Sequence, residues 1–234
     1  RDGTELSGLL RALISVPGDY WIRMFYCYPN SFTDEVLEVM ASDPRFCRYL
    51  DMPFQHISDP VLKKMNRKIT RKEIEATMAR VRRKLPDVAW RTTFIVGFPT
   101  ETDQDFEELV DFVSEGHFQH LGIFLYSDED NIRSSKFGDP IPLSLKEERK
   151  NRLMEIQQKI SREHHQKMVG SLQQVLVGGF SSETDLLLEG RNQYQGPEVD
   201  GVVYINEGNA TSAGFHQVEI TEAHEYDLVG KILN

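Results

Sequence analysis

Four short stretches of this sequence gather residue types that can bind or react. They are Cys27-Tyr28-Pro29, Pro53-Phe54-Gln55-His56, Gly97-Phe98-Pro99-Thr100-Glu101-Thr102 and Tyr126-Ser127-Asp128. Gly97 and Pro99 permit a tight turn whose backbone amides face a ligand. Arg91 and Thr93 alternate, so on a strand they share one face. Arg91 is open to two readings: a confined cation that wants a carboxylate partner, or a strand-start arginine solvated at the opposite rim. His56, a single histidine ahead of a helical pattern, reads as structural rather than as a general base or metal ligand. His164-His165 has no Cys or Glu at metal-ligand spacing and reads as a solvated helix face. Cys27 and Cys47 have no paired cysteine nearby and read as small buried hydrophobes. The sequence has no Gly-rich phosphate loop, nucleophile elbow or zinc motif.

The four stretches follow four strand-like runs, Tyr20–Tyr26, Tyr49–Phe54, Ala89–Val96 and Leu121–Tyr126, each short, aromatic or β-branched and closed by a turn signal. Helical patterns alternate with them. Thr33 is placed to cap Asp34–Met40, Ser58 to cap Asp59–Met65, and Thr70 to cap Arg71–Leu85. Thr102 with Asp105 three residues on forms a capping-box start for the run through Val113. Strand and helix in alternation predict right-handed crossovers and a parallel sheet, with chemistry at the C-terminal strand ends where the four stretches lie. Pattern alone leaves an open doubly wound sheet and a partial barrel both in play.

A long charged helix is predicted over about 143–168, with Leu145, Leu153, Ile156 and Ile160 on its apolar side and Gly170 ending it. Beyond it the texture becomes short strands at Val175–Val177, Leu186–Leu188, Val202–Ile205, Gln217–Ile220 and Leu228-Val229. These predict a small antiparallel OB-like β-barrel over 170–234, after an α/β domain over 1–169.

Bulk properties narrow the function classes. The chain has 234 residues and a formal charge of −10, which argues against general nucleic-acid affinity and favours a basic protein partner. No apolar stretch approaches the roughly 20 residues of a membrane span, and two cysteines make no disulfide framework, so a cytoplasmic, reducing setting with no membrane partner is expected. Arg1 is not a start methionine, and the apolar-periodic run from Thr4 to Leu13 has no strand before it, so upstream sequence is expected to have been removed.

Two long stretches carry a resemblance. Tyr49 to Arg67 and Arg91 to Thr102 resemble the methylthiotransferase branch of the radical S-adenosylmethionine (SAM) enzymes, and the terminal small barrel resembles a TRAM domain. The tRNA-modifying subfamily typically has Gln-Ser-Gly-Ser where this chain has Gln55-His56-Ile57-Ser58. The run Gly196-Pro197-Glu198-Val199-Asp200-Gly201-Val202-Val203-Tyr204 is similar to the ribosomal-protein (RimO-type) subfamily. That resemblance implies that the α/β part is the last four strand–helix units of a six-stranded radical SAM partial barrel. It implies methylthiolation of an aspartate side chain of small-subunit ribosomal protein number twelve, with an electron donor as a further partner and tRNA disfavoured.

The family's cofactors are S-adenosylmethionine and two 4Fe-4S clusters, one of them on a Cys-x3-Cys-x2-Cys motif. The cluster ligands are absent from this chain, which on its own is predicted inactive, with no catalytic and no metal-binding residue. Residues that the resemblance assigns to the S-adenosylmethionine pocket are Tyr28, Gln55, Arg91, Thr93, Gly97, Phe98, Pro99 and Tyr126. Gln55 would bond the ribose or methionyl part, and the Gly97 turn would receive the adenine through its backbone. After Tyr126-Ser127 the family usually has a Gly-Thr-Ala type loop; Asp128 to Ser135 departs from it. The alternatives are a tRNA adenosine methylthiotransferase (MiaB-type) and a non-catalytic adaptor for a ribosomal partner.

Overall fold

The computed structural model of the chain describes residues 5–129, 133–208 and 213–233. Thr4 at the start of the first apolar run, and Asp130, Asn131 and Ile132 in the divergent loop, lie outside the described residues. By contacts the chain divides into two compact units, Arg1–Gln157 and Gln158–Asn234.

The first unit is a parallel four-stranded sheet in the order β1 (Ile22–Met24), β2 (Phe46–Asp51), β3 (Ala89–Val96), β4 (His120–Leu125). It matches the expected strand–helix alternation. β1 is shorter than the predicted run, and β2 begins earlier and stops at Asp51. Pro53 has no amide to donate, so the regular ladder ends just before it. The Thr92 hydroxyl fills the gap, donating to the Met52 carbonyl at 2.9 Å and accepting from the Phe54 amide at 3.3 Å.

Helices α1 (Leu6–Ile14), α2 (Asp34–Ser42), α3 (Asp59–Lys64), α4 (Arg71–Lys84) and α5 (Asp103–Ser114) connect and cover the strands. Thr33 accepts from the Val36 amide, and full capping boxes join Thr70 to Glu73 and Thr102 to Asp105. Ser58 precedes α3 but makes no side-chain cap bond; its hydroxyl is given to Asp105 instead.

β3 explains how one strand serves both core and site. Trp90, Thr92, Phe94 and Val96 are buried, while Arg91, Thr93 and Ile95 between them are only half-buried. The buried set packs with Phe54, Phe112 and Phe118 and with helix residues such as Ile74, Val81 and Leu109. The half-buried set faces away from that core, as the period-two geometry of a strand requires.

Helix α6 (Leu143–Gln166) was expected to bury an apolar stripe, but of those four leucines and isoleucines only Leu153 is fully buried. The face that is buried also carries Lys146, Arg149, Gln157, Ser161 and His165. His165 is therefore not on a solvated face: it is buried, with Nδ1 3.1 Å from the His224 carbonyl oxygen.

The second unit is a closed barrel in the order β5 (Leu172–Phe180), β6 (Leu188–Asn192), β7 (Val203–Glu207), β9 (Leu228–Ile232), β8 (Gly214–Ala223). The second strand was expected from Leu186, which is 88% exposed and precedes it. Four neighbouring pairs are antiparallel and one, β7 with β9, is parallel. Parity demands this: an odd ring of strands cannot alternate direction all the way round. The interior is Val175, Val177, Val203, Ile205, Val218, Ile220, Leu228 and Ile232.

Candidate functional site

A cavity of about 740 Å³ opens at the C-terminal ends of β2, β3 and β4. Gln55, Ile95, Phe98, Leu125 and Tyr126 form its strand-end wall, the α3 terminus and the following loop (residues 63–67) form another, and Phe137 closes a side. Of the eight pocket residues expected from the sequence, Gln55, Phe98 and Tyr126 line this cavity.

Gln55 is held in an unusual backbone state. Its φ is +73°, a left-handed conformation that costs a non-glycine residue of order 1–3 kcal/mol. Two backbone bonds to β3 enforce it: the Gln55 amide donates to the Thr93 carbonyl at 2.9 Å, and the Ile95 amide donates to the Gln55 carbonyl at 2.8 Å. The chain thus rejoins the sheet for one residue beyond Pro53 and projects an amide side chain at the cavity.

Phe98 and Tyr126 meet edge to face with ring centroids 5.2 Å apart, and Phe98 meets Phe137 in the same way at 6.0 Å. The Tyr126 hydroxyl is buried and, among the described residues, has no hydrogen-bond partner. Its backbone is fixed from both sides, the amide donating to Val96 and the carbonyl accepting from Lys146 Nζ, each at 2.9 Å.

The Gly97 turn does not present its amides to the cavity. The Gly97 and Phe98 amides donate to Glu101 Oε2 at 2.8 and 3.4 Å. Gly97 has φ +75°, and a Cβ there would lie 2.3 Å from Lys146 Cγ, so the backbone passes where only glycine fits. Pro99 completes the turn without lining the cavity. What this turn offers the cavity is the Phe98 ring.

Behind the turn is a buried polar cluster. Glu101 accepts from Arg149 Nη1 at 2.7 Å, and His56 Nε2 lies 3.6 Å from Glu101. His56 Nδ1 accepts the Ser58 amide at 3.0 Å, which agrees with a structural histidine. Ser58 and Thr102 both donate to Asp105. Burial works against the Asp105 carboxylate, but these hydrogen bonds outweigh it and hold its pKa below the usual range.

Arg91 and Thr93 do share a face: both side chains lie over Gly122 of β4. Arg91 Nε stands 3.9 Å from Asp51 Oδ1, with both side chains largely buried, so the carboxylate partner is present. Asp51 Oδ2 also accepts the Tyr26 amide at 3.0 Å and so fastens the end of β1 to β2. Tyr28 stands outside the lining, its ring beneath the Arg67 guanidinium at 5.2 Å.

Both cysteines are buried. Burial, with Asp51 adding to it, pushes the Cys27 thiol up to about 12; burial pushes Cys47 up to about 11 although Arg23 opposes it. Among the described residues no group of three His, Cys, Asp or Glu side chains is arranged to hold a metal ion, and no helix is long and apolar enough to cross a membrane.

Lys146 and Arg149 were not foreseen. They lie on a helix distant in sequence, and no local pattern marks a lysine or arginine that will be buried. Asn66 and Arg67 stand in the first motif, and an asparagine just past a short helix is a legible sign of a left-handed cap.

Known proteins match both units. The family model of the radical SAM superfamily matches residues 3–113, and that of the TRAM domain matches residues 169–233. The ribosomal protein uS12 methylthiotransferase RimO of Geobacter sulfurreducens is 42% identical over 98% of this chain and 52% of its own length. The protein of the same name from Bdellovibrio bacteriovorus is 48% identical over 96% of this chain and 49% of its own length. The chain thus spans about half the length of these relatives. In fold it is similar to Escherichia coli coproporphyrinogen III oxidase (HemN), a radical SAM enzyme, with TM-score 0.52 and 14% identity over 80% of this chain and 50% of that one. With a radical SAM match over its sheet, a TRAM match over its barrel and RimO relatives that align along nearly its whole extent, the chain is similar throughout to the radical SAM methylthiotransferases, in their RimO-type branch.

Proposed function

We propose that this chain forms the S-adenosylmethionine- and substrate-facing wall of an enzyme that methylthiolates an aspartate side chain of ribosomal protein uS12. The observation that carries the reading is the strand-end cavity with its backbone-strained Gln55, its Phe98 ring and a buried Tyr126 hydroxyl that has no hydrogen-bond partner among the described residues. A nucleoside needs an apolar slot with a few directed polar groups, in a cavity of roughly 300–1,000 Å³. Ile95, Leu125 and Phe98 supply the slot; Gln55 and Tyr126 supply the polar groups. These residues fit S-adenosylmethionine, which when bound brings the methyl group and the radical precursor. Gln55 orients the ribose or methionyl part, Phe98 flanks the adenine, and Arg91 and Thr93 keep the sheet face polar beside them.

An iron–sulfur cluster does not fit the residues present, since it needs several thiolates and this chain has two separate, buried thiols with raised pKa values. No step is assigned to a cluster in this chain. Two clusters and an electron donor belong to the proposed whole enzyme. An acidic barrel, with Glu183, Asp185, Glu189, Glu198 and Asp200 among its carboxylates, favours a basic ribosomal protein over tRNA.

Calorimetric titration of the chain with S-adenosylmethionine tests the pocket. Gln55→Ala and Tyr126→Phe should each weaken binding by up to about tenfold, the worth of one hydrogen bond; unchanged affinity in both would remove the ligand from this cavity. The substrate is tested by the mass of uS12 from a strain that lacks its methylthiotransferase and carries a gene including this sequence. Unmodified uS12 alongside methylthiolated tRNA would move the assignment to the tRNA branch.

A further inference from the structure

The two edges of the parallel sheet are built differently. β1 spans three residues and its register with β2 is irregular, which leaves a further strand little to pair with. β4 spans six and runs beside β3 in unbroken register, from Arg91 opposite His120 to Val96 opposite Leu125. Among the described residues no strand pairs with its outer edge. The Tyr126 amide donates to the Val96 carbonyl at 2.9 Å, so by strand alternation Ile123 and Leu125 turn their amides and carbonyls to the open side.

Proteins blunt such an edge with a charged residue, a proline or a bulge. His120-Leu121-Gly122-Ile123-Phe124-Leu125 contains no Lys, Arg, Asp, Glu or Pro, and no bulge interrupts it. Phe124 is 59% exposed and stands opposite Ile95, on the sheet face that carries Arg91 and Thr93. A regular, apolar, unprotected edge is a liability unless something extended pairs with it. Here it leads straight to the strand-end cavity, which Leu125 and Tyr126 line.

A row of open main-chain groups is recognised by another extended chain: main-chain bonds supply affinity, and alternate side chains supply selectivity. Asp128 and Glu129, both exposed just beyond the strand, favour a segment with basic residues. A second copy of the chain is a poorer occupant. Two six-residue edges, each with one exposed phenylalanine, offer far less than the roughly 1,200 Å² that a stable interface buries, and each copy carries a formal charge of −10.

We propose that the open edge of β4 takes an extended, basic segment of the protein substrate as a fifth strand, with Phe124 packing against one of its side chains. Pairing there brings the residues that follow in the segment to the mouth of the cavity. The inference rests on the function proposed above, which makes ribosomal protein uS12 the substrate, and adds how that protein is held.

The test uses overlapping peptides that tile uS12, with binding to this chain read by fluorescence anisotropy. The tightest peptide is then remade with a single backbone N-methyl group at each position in turn. Methylation at alternate residues should weaken binding by about tenfold, the worth of one hydrogen bond, while the positions between are tolerated. Phe124→Lys, which gives the edge a protecting charge, should weaken the peptide at least as much, and Phe124→Tyr should keep it. Both variants should melt at the wild-type temperature, which separates docking from misfolding. Tolerance of N-methylation at every position together with wild-type affinity in Phe124→Lys overturns the proposal, and so does a chain that binds no uS12 peptide. Concentration-dependent dimers that Phe124→Lys abolishes without touching peptide affinity assign the edge to a second copy and overturn it too. The mass of uS12 decides the substrate separately: modified uS12 without the alternating pattern rejects the edge alone, and unmodified uS12 rejects the substrate reading.

Discussion

Replacing Arg149 by methionine removes the cation from the polar cluster behind the Gly97–Phe98 turn. Arg149 donates to Glu101 at 2.7 Å, with side chains 4% and 0% exposed, and to Asp103 at 2.6 Å, whose side chain is 92% exposed. The Asp103 contact is screened by solvent and worth at most about 1 kcal/mol. The Glu101 contact is different, because the carboxylate stays buried after its partner is gone; breaking such a pair from one side costs about 3–5 kcal/mol. At roughly 2–4 °C per kcal/mol for a unit of this size, the melting temperature should fall by about 6–20 °C. Tryptophan fluorescence is the assay, since Trp21 and Trp90 both lie in the first unit and the barrel contributes no signal. The double variant Glu101→Gln/Arg149→Met should lose at least about 1 kcal/mol less than the sum of the single losses. A single-variant cost below about 1 kcal/mol, or strictly additive losses, would refute the claim that this pair is energetically buried.

Three further outcomes are expected. Asp105 has a depressed folded pKa, so its stabilisation is complete above the ordinary value of 3.8 and disappears as pH falls through the depressed value. Ser58→Ala should therefore lower the urea midpoint at neutral pH by an amount that shrinks below pH 3.8, and a gap that stays constant would count against it. Asn66→Ala should destabilise the first unit by about 1–2 kcal/mol while Asn66→Gly is close to neutral, because only the alanine is penalised at positive φ. With thiol pKa values of about 12 and 11, Cys27 and Cys47 should resist iodoacetamide in the folded chain and react once urea unfolds it; mass spectrometry reads the difference, and fast labelling of either folded thiol would contradict their burial.

Legibility of the fold followed the range over which each element is determined. β3 was readable residue for residue because its own alternation fixes both its faces, and α4 and α5 because their capping boxes close within four residues. β1 and β2 were not, because their extents depend on partners: Pro53 and the Thr92 hydroxyl across the ladder decide where β2 stops. Ser58 looked like a helix cap until Asp105, 47 positions away in sequence, competed for its hydroxyl. For the site, the aromatic and amide residues at strand ends were visible as types, but the backbone strain at Gln55 and the buried supports from α6 are tertiary facts. The burial of His165 is hidden for the same reason, since a polar pattern cannot reveal that the His224 carbonyl meets it.

The parallel seam of the small barrel sets an order of events during folding. β9 is the last strand in the chain, yet it sits between β7 and β8, so neither of those edges is satisfied until Ile232 has been synthesised. The pairs β5–β6, β6–β7 and β8–β9 are local hairpins, but the ring closes only when β9 meets β7 across the parallel seam. Closure is therefore a single late step, and a nascent chain stalled before Leu228 exposes two unpaired edges together, the state most prone to pair with a neighbour.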